Sequence, residues 1–121
     1  MSYTLYAPAG SFRAFKALIA AEYNAIDVTV ADFDPASVAA LSPTGKAPVL
    51  QCSKTGNVIF ESNAIARFIA RIRTDTGVYG GSVVEDAVVD SWVDFAANEI
   101  ELPASVWFYP VAGYMPFNKD A

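Results

Sequence analysis

A chain of 121 residues suffices for one ordinary domain, or for one small domain and part of another, and 54% hydrophobic residues give ample core material and no case for disorder. A formal charge of −5 without any basic run argues against nucleic acid or an anionic membrane surface as a direct partner. No histidine and a single cysteine, Cys52, exclude a disulfide framework and a dithiol redox pair and leave no donor set for zinc. The N-terminus, MSYTLYAPAG, has neither the basic segment nor the apolar run of a signal peptide. No stretch approaches the ~20 apolar residues that span a bilayer. The composition is that of a soluble, cytoplasmic protein.

Tyr3 to Ala7 is β-prone and halted by Pro8 and Gly10, which predicts a first strand and a turn. Ser11 then caps a helix to about Tyr23, with Phe12, Phe15, Leu18 and Ile19 at helical spacing and Arg13 and Lys16 on the other side. Asp27 to Phe33 alternates through Val28 and Val30 as a second strand. Asp34-Pro35 joins an N-cap acid to a proline at the first helical position, so a short helix follows and stops before Ser42-Pro43. Val49 to Cys52 and Val58 to Phe60 read as two strands joined by the turn Lys54-Thr55-Gly56-Asn57. A third helix runs to about Arg73, burying Ile65, Phe68, Ile69 and Ile72 and turning Arg67 and Arg71 outward.

This order, βαβαββα, suits a mixed four-stranded sheet with a crossover, a hairpin and a closing helix, the thioredoxin-like α/β arrangement. Residues 74–83, with Gly77, Gly80 and Gly81, read as a linker. Ser82 and Glu85 fit a capping box ahead of a helix whose wide apolar face includes Val88, Val89, Trp92, Phe95, Ala96 and Ile100. Pro103 interrupts it, and Ser105 to Phe108 resume after a kink. The tail from Tyr109 holds Pro110 and Pro116 and stays apolar until Asn118. Such a segment needs partners to bury it, so it is expected to be part of a longer chain, to be covered by another subunit, or both.

Two features between Gly45 and Ile69 carry the functional reading. Pro48 precedes the apolar pair Val49-Leu50, where proline is tolerated only as a strand's first residue, either as an ordinary trans starter or in a cis bond with Ala47. A cis bond leaves the Ala47 backbone turned outward, to pair with a peptide-like ligand. Glu61-Ser62 ends a strand and opens a helix whose first amides suit a carboxylate; Ser62 is either a simple N-cap or a ligand anchor. Cys52, within a strand, reads as a small packed hydrophobe.

The stretches SPTGKAPVL and FESNAIARFIA resemble the glutathione-binding half of glutathione transferases, in which a proline turn precedes the third strand and an E-S pair opens the third helix. Together with TLYAPAGSFRAFKALIAAEY and SWVDFAANEIELPASVWFYPVAGYM, they resemble the transferase-like region of the gamma-subunit family of translation elongation factor 1. The P-A-S-x-W wording is the most specific part, because transferases at large do not share it. The resemblance implies a thioredoxin-like domain over residues 1–78 and, over 79–121, the incomplete first helices of an all-α transferase domain. It implies a scaffold subunit of the nucleotide-exchange complex, in contact with that complex's other subunits and paired with its own copy. The alternative is an active glutathione S-transferase that conjugates small electrophiles.

Glutathione is the implied ligand or substrate. By the same resemblance, Ala47 pairs its backbone with the cysteinyl part and Pro48 holds the turn. Glu61 and Ser62 hold the γ-glutamyl end, and Lys46 meets the glycyl carboxylate as a point charge. Turnover also needs a hydroxyl that steadies the glutathione thiolate. Tyr6 and Ser11 are the nearby hydroxyls, while Ala9 falls where serine-type enzymes carry theirs if Arg13 is aligned with their arginine. Equally, Tyr6 reads as a core tyrosine and Ser11 as a helix cap.

Overall fold

The computed structural model describes residues 2–116; the end of the apolar tail, from Phe117 onward, lies outside the described residues. The chain divides into two compact units, the first ending at Gly81 and the second beginning at Ser82.

In the first unit, β1 (Tyr3–Tyr6), α1 (Phe12–Asn24), β2 (Val28–Ala31), α2 (Pro35–Leu41), β3 (Val49–Cys52), β4 (Val58–Phe60) and α3 (Ser62–Ile72) follow in the predicted order. The sheet order is β2-β1-β3-β4, with β1 parallel to β2 and antiparallel to β3, and β3 antiparallel to β4. This is the thioredoxin-like fold. Local chemistry sets most boundaries. The Ser11 hydroxyl accepts the Ala14 N–H at α1, and an Asp34 oxygen accepts the Ala36 N–H at α2, where Pro35 sits in the first turn. The Asp34 carboxyl is held below the usual carboxylate range, first by the Ser37 hydroxyl and then by the Ala36 N–H.

Alternation along β1 and β3 puts Tyr3, Leu5, Leu50 and Cys52 on one face of the sheet, and α1 and α3 pack there. The predicted burial of α3 holds for Ile65 and Ile69, with Phe68 and Ile72 partly buried. For α1 the expectation holds only at Leu18, which is partly buried against the core, and fails for Phe12, Phe15 and Ile19. Its inward face consists of Ala14, Ala17, Ala20, Ala21 and Asn24, whereas Phe15 is 49% and Ile19 57% exposed and Phe12 points out with them. Small side chains let the helix axis approach α3 and the sheet closely, and larger ones would hold it off.

Of residues 74–83, read as a linker, 74–81 belong to the first unit. Tyr79 is buried beneath the Arg71 guanidinium, 4.8 Å from its ring centroid, and the Thr76 hydroxyl donates to Asn24.

In the second unit α4 (Val83–Phe95) begins where the Ser82 hydroxyl accepts the Glu85 N–H, as the capping-box pattern predicts. A π-helical turn (Ala96–Glu101) leads directly into α5 (Leu102–Ala112). The Leu102 N–H reaches back five residues to the Ala97 carbonyl. The wider turn accommodates Pro103, which has no N–H to give, so helix resumes before the proline rather than at Ser105. No residue of α4 or α5 is buried, and Trp92 is 66% exposed. Among the described residues no helix is long and apolar enough to cross a membrane, and no cluster of acidic or sulfur side chains forms a metal site.

Candidate functional site

Strand register assembles the site. Tyr6 is paired with Val49, and Val49 with Phe60. Consequently Pro48, one residue before Val49, and Glu61, one residue after Phe60, emerge at the same edge of the sheet. The chain leaving Tyr6 toward α1 emerges there too. A shallow cleft at this edge is lined by Arg13, Thr44, Lys46, Ala47, Pro48, Glu61 and Ser62. All five residues expected at a glutathione site, Lys46, Ala47, Pro48, Glu61 and Ser62, thus lie around one hollow.

Each wall has a local cause. The Ala47-Pro48 peptide bond is cis. Ahead of it, Gly45 takes φ +67°, a left-handed conformation that glycine adopts without steric cost. The Ser42 and Thr44 hydroxyls share a hydrogen bond of 3.1 Å, and the Thr44 hydroxyl accepts the Lys46 N–H at 3.4 Å. On the far wall Glu61 has φ 74° and ψ 118°, strained for a residue with a Cβ. Glu61, not Ser62, occupies the cap position of α3, and its side chain makes no capping bond. Ser62 is therefore the first helical residue, and its hydroxyl is not committed to a cap. The first amides of α3 bring the partial positive charge of a helix N-terminus to the cleft. Lys16 donates to the Asn63 side-chain oxygen at 2.6 Å, tying the first turn of α3 to α1.

Tyr6 and Ser11 stand apart from this hollow. By strand alternation Tyr6 shares the sheet face of Thr4 and Gln51, and its hydroxyl donates to the Gln51 side chain at 3.3 Å. The Ser11 hydroxyl caps α1 at 3.3 Å from the Ala14 nitrogen. Neither lines the cleft. Arg13 and Thr44 do, although sequence reasoning assigned them no ligand. The signal for Arg13 was its place in the first turn of α1, the helix that leaves β1 at the same sheet edge. Cys52 lies toward the other end of β3, half-buried, its thiol held below the usual range by a hydrogen bond from the Thr55 side chain.

Comparison with known proteins matches residues 1–71 to the family model described as glutathione S-transferase, N-terminal domain. The chain belongs to this family. Across 97% of its length it is also 36% identical to elongation factor 1-gamma 1 of Oryza sativa subsp. japonica. It spans only 29% of that relative's length. Among solved structures it is similar to a serine-to-cysteine mutant of poplar glutathione transferase F1, with a TM-score of 0.83 at 18% identity, over 99% of this chain and 59% of that one. It is also similar to the theta-class glutathione S-transferase of Xanthomonas axonopodis pv. citri, solved with glutathione bound. That match has a TM-score of 0.68 at 28% identity, over 79% of this chain and 48% of that one. The transferase N-terminal fold, with a helical part beginning after it, is thus common to the sequence, the family and the solved structures.

Proposed function

We propose that this chain is the transferase-like part of an elongation factor 1-gamma subunit, a cytoplasmic scaffold of the nucleotide-exchange complex that keeps a glutathione site. The observation that carries the reading is the extent of the likeness to the rice relative. It covers 97% of the chain, whereas the transferase family model ends at residue 71. The exposed apolar side chains of α4 and α5 support a role in assembly, including pairing with a second copy. The test is affinity isolation of the tagged protein from its native cells. The guanine-nucleotide exchange subunits are expected to co-purify, and their consistent absence rejects the scaffold role.

Glutathione is the ligand that suits the cleft. Its γ-glutamyl end lies at Glu61, Ser62 and the first amides of α3, which suit a carboxylate. Its cysteinyl part pairs with the Ala47 backbone, and Lys46 faces the glycyl carboxylate. The solved theta-class relative was crystallised with this tripeptide. Titration calorimetry with glutathione tests the site, and absence of heat at millimolar ligand rejects it. Turnover is the second reading, favoured by Arg13 in the cleft, since a guanidinium beside a thiol stabilises its thiolate. Conjugation of an aryl halide no faster than in buffer leaves binding alone.

A further inference from the structure

The sheet has a second hollow, at the end opposite the cleft. Tyr3, Leu50, Cys52, Thr55, Asn57, Ile59 and Phe68 line an open-sided hollow of about 370 Å3, and none of these residues lines the cleft. Register explains its position. Tyr3 is paired with Cys52 and Leu50 with Ile59, so these four side chains share the face on which α3 lies. The helix meets this corner of the sheet through Phe68, whose ring stands edge-on to Tyr3 with centroids 5.5 Å apart. Toward α1, by contrast, α3 closes fully over Ile65 and Ile69.

We propose that this hollow is a ligand site for an uncharged aromatic molecule of one or two rings. The volume lies within the roughly 300–1,000 Å3 of small-molecule sites. Two aromatic rings and two aliphatic side chains form the wall, which favours edge-to-face packing of a flat guest. No charged side chain lines it, so an ionised guest would lose its hydration with nothing in return. The Thr55 hydroxyl is engaged by Cys52 and the Asn57 N–H, so the Asn57 side-chain amide is the polar group for one hydroxyl or carbonyl on the guest. The site is independent of glutathione and of any exchange complex.

Cys52 makes the proposal directly testable, because it is the chain's single thiol and stands in the wall. Its alkylation by iodoacetamide is followed in the purified protein with 1-naphthol, with the charged analogue 2-naphthalenesulfonate, or with neither. Naphthol at ten times its Kd is expected to slow the reaction about ten-fold, as for one site whose occupied form does not react. The sulfonate is expected to leave it unchanged, as is glutathione. Binding of naphthol to apolar surface elsewhere would not slow labelling. Ile59→Trp, which fills the hollow, is expected to abolish protection; Thr55→Trp, at the exposed hairpin, serves the same purpose should the first variant misfold. Undiminished labelling in saturating naphthol overturns the site, including the case in which other parts of the protein already fill it. Equal protection by the sulfonate, or protection that survives both variants, overturns the assignment as well.

Discussion

The side-chain amide of Asn24, at the end of α1, donates to the Ile69 carbonyl at 2.9 Å and to the Ala70 carbonyl at 3.0 Å. Asn24 is fully buried, its side-chain oxygen accepts from the Thr76 hydroxyl, and its own carbonyl accepts from Arg73. One residue thus joins α1, the end of α3 and the segment after it. Asn24→Ala strands two buried carbonyls, while the exposed Thr76 hydroxyl keeps its bond to the Arg73 carbonyl, and is expected to destabilise the protein by about 2–4 kcal/mol. Urea unfolding followed by circular dichroism measures this. A loss below ~0.5 kcal/mol would mean that water takes over the network.

The two faces of α1 make a paired prediction. Ala17→Leu pushes a larger side chain into the close contact beneath the helix and is expected to cost about 1–3 kcal/mol. Phe15→Ser alters an exposed position and is expected to change the stability of this chain by no more than about 0.5 kcal/mol. The reverse ranking in a thermal melt would show that the phenylalanine face is the buried one.

At the cleft, Ser62→Ala removes a hydroxyl that caps nothing. Stability is expected to stay within about 0.5 kcal/mol. The Kd for glutathione is expected to rise about five- to ten-fold, the equivalent of one hydrogen bond. Glu61→Gly is expected to weaken glutathione binding while raising or preserving the melting temperature, because glycine relieves the positive φ. Calorimetry and melts on both variants separate ligand anchoring from a structural role.

The Thr55 hydrogen bond lowers the Cys52 pKa, so more thiolate is present at any pH below the ordinary thiol midpoint. Thr55→Val is expected to shift the pH profile of Cys52 alkylation upward and to slow the reaction at neutral pH. An unmoved profile would remove the hydroxyl as its cause.

Asp34 has its carboxyl depressed in the folded state, chiefly by the Ser37 hydroxyl. A depressed carboxylate contributes stability that is present above its unfolded pKa of about 3.9 and lost as pH falls through the lower folded value. The stability gap between wild type and Asp34→Ala is therefore expected to be flat from neutral pH to about pH 5 and to shrink below about pH 4. Melts across that range test it. A gap that widens on acidification has the wrong sign.

Local chemistry made much of the fold legible. The Asp34-Pro35 start, the proline before Val49 and the Gly56 turn act within a few residues, and the strands and helices formed where those signals placed them. The five cleft residues could be named from two short stretches, each recognisable by its own wording. Arg13 was matched to an arginine of serine-type enzymes but given no ligand, and Thr44 was hidden, because their place at the cleft depends on which sheet edge the intervening loops return to. Tyr6 and Ser11 were nominated for closeness in sequence, and their hydroxyls are engaged by Gln51 and Ala14.

By itself, then, the sequence determined the element order, the turn chemistry and the family, because each is encoded in short-range pattern or in wording. Tertiary structure alone decided which face of α1 is buried. Both its alanine and its phenylalanine stripes have helical period, and only the close approach of α3 and the sheet selects the smaller side chains. It also decided that residues distant in the chain share one cleft, since strand register, a non-local property, brings Pro48 and Glu61 to the same edge.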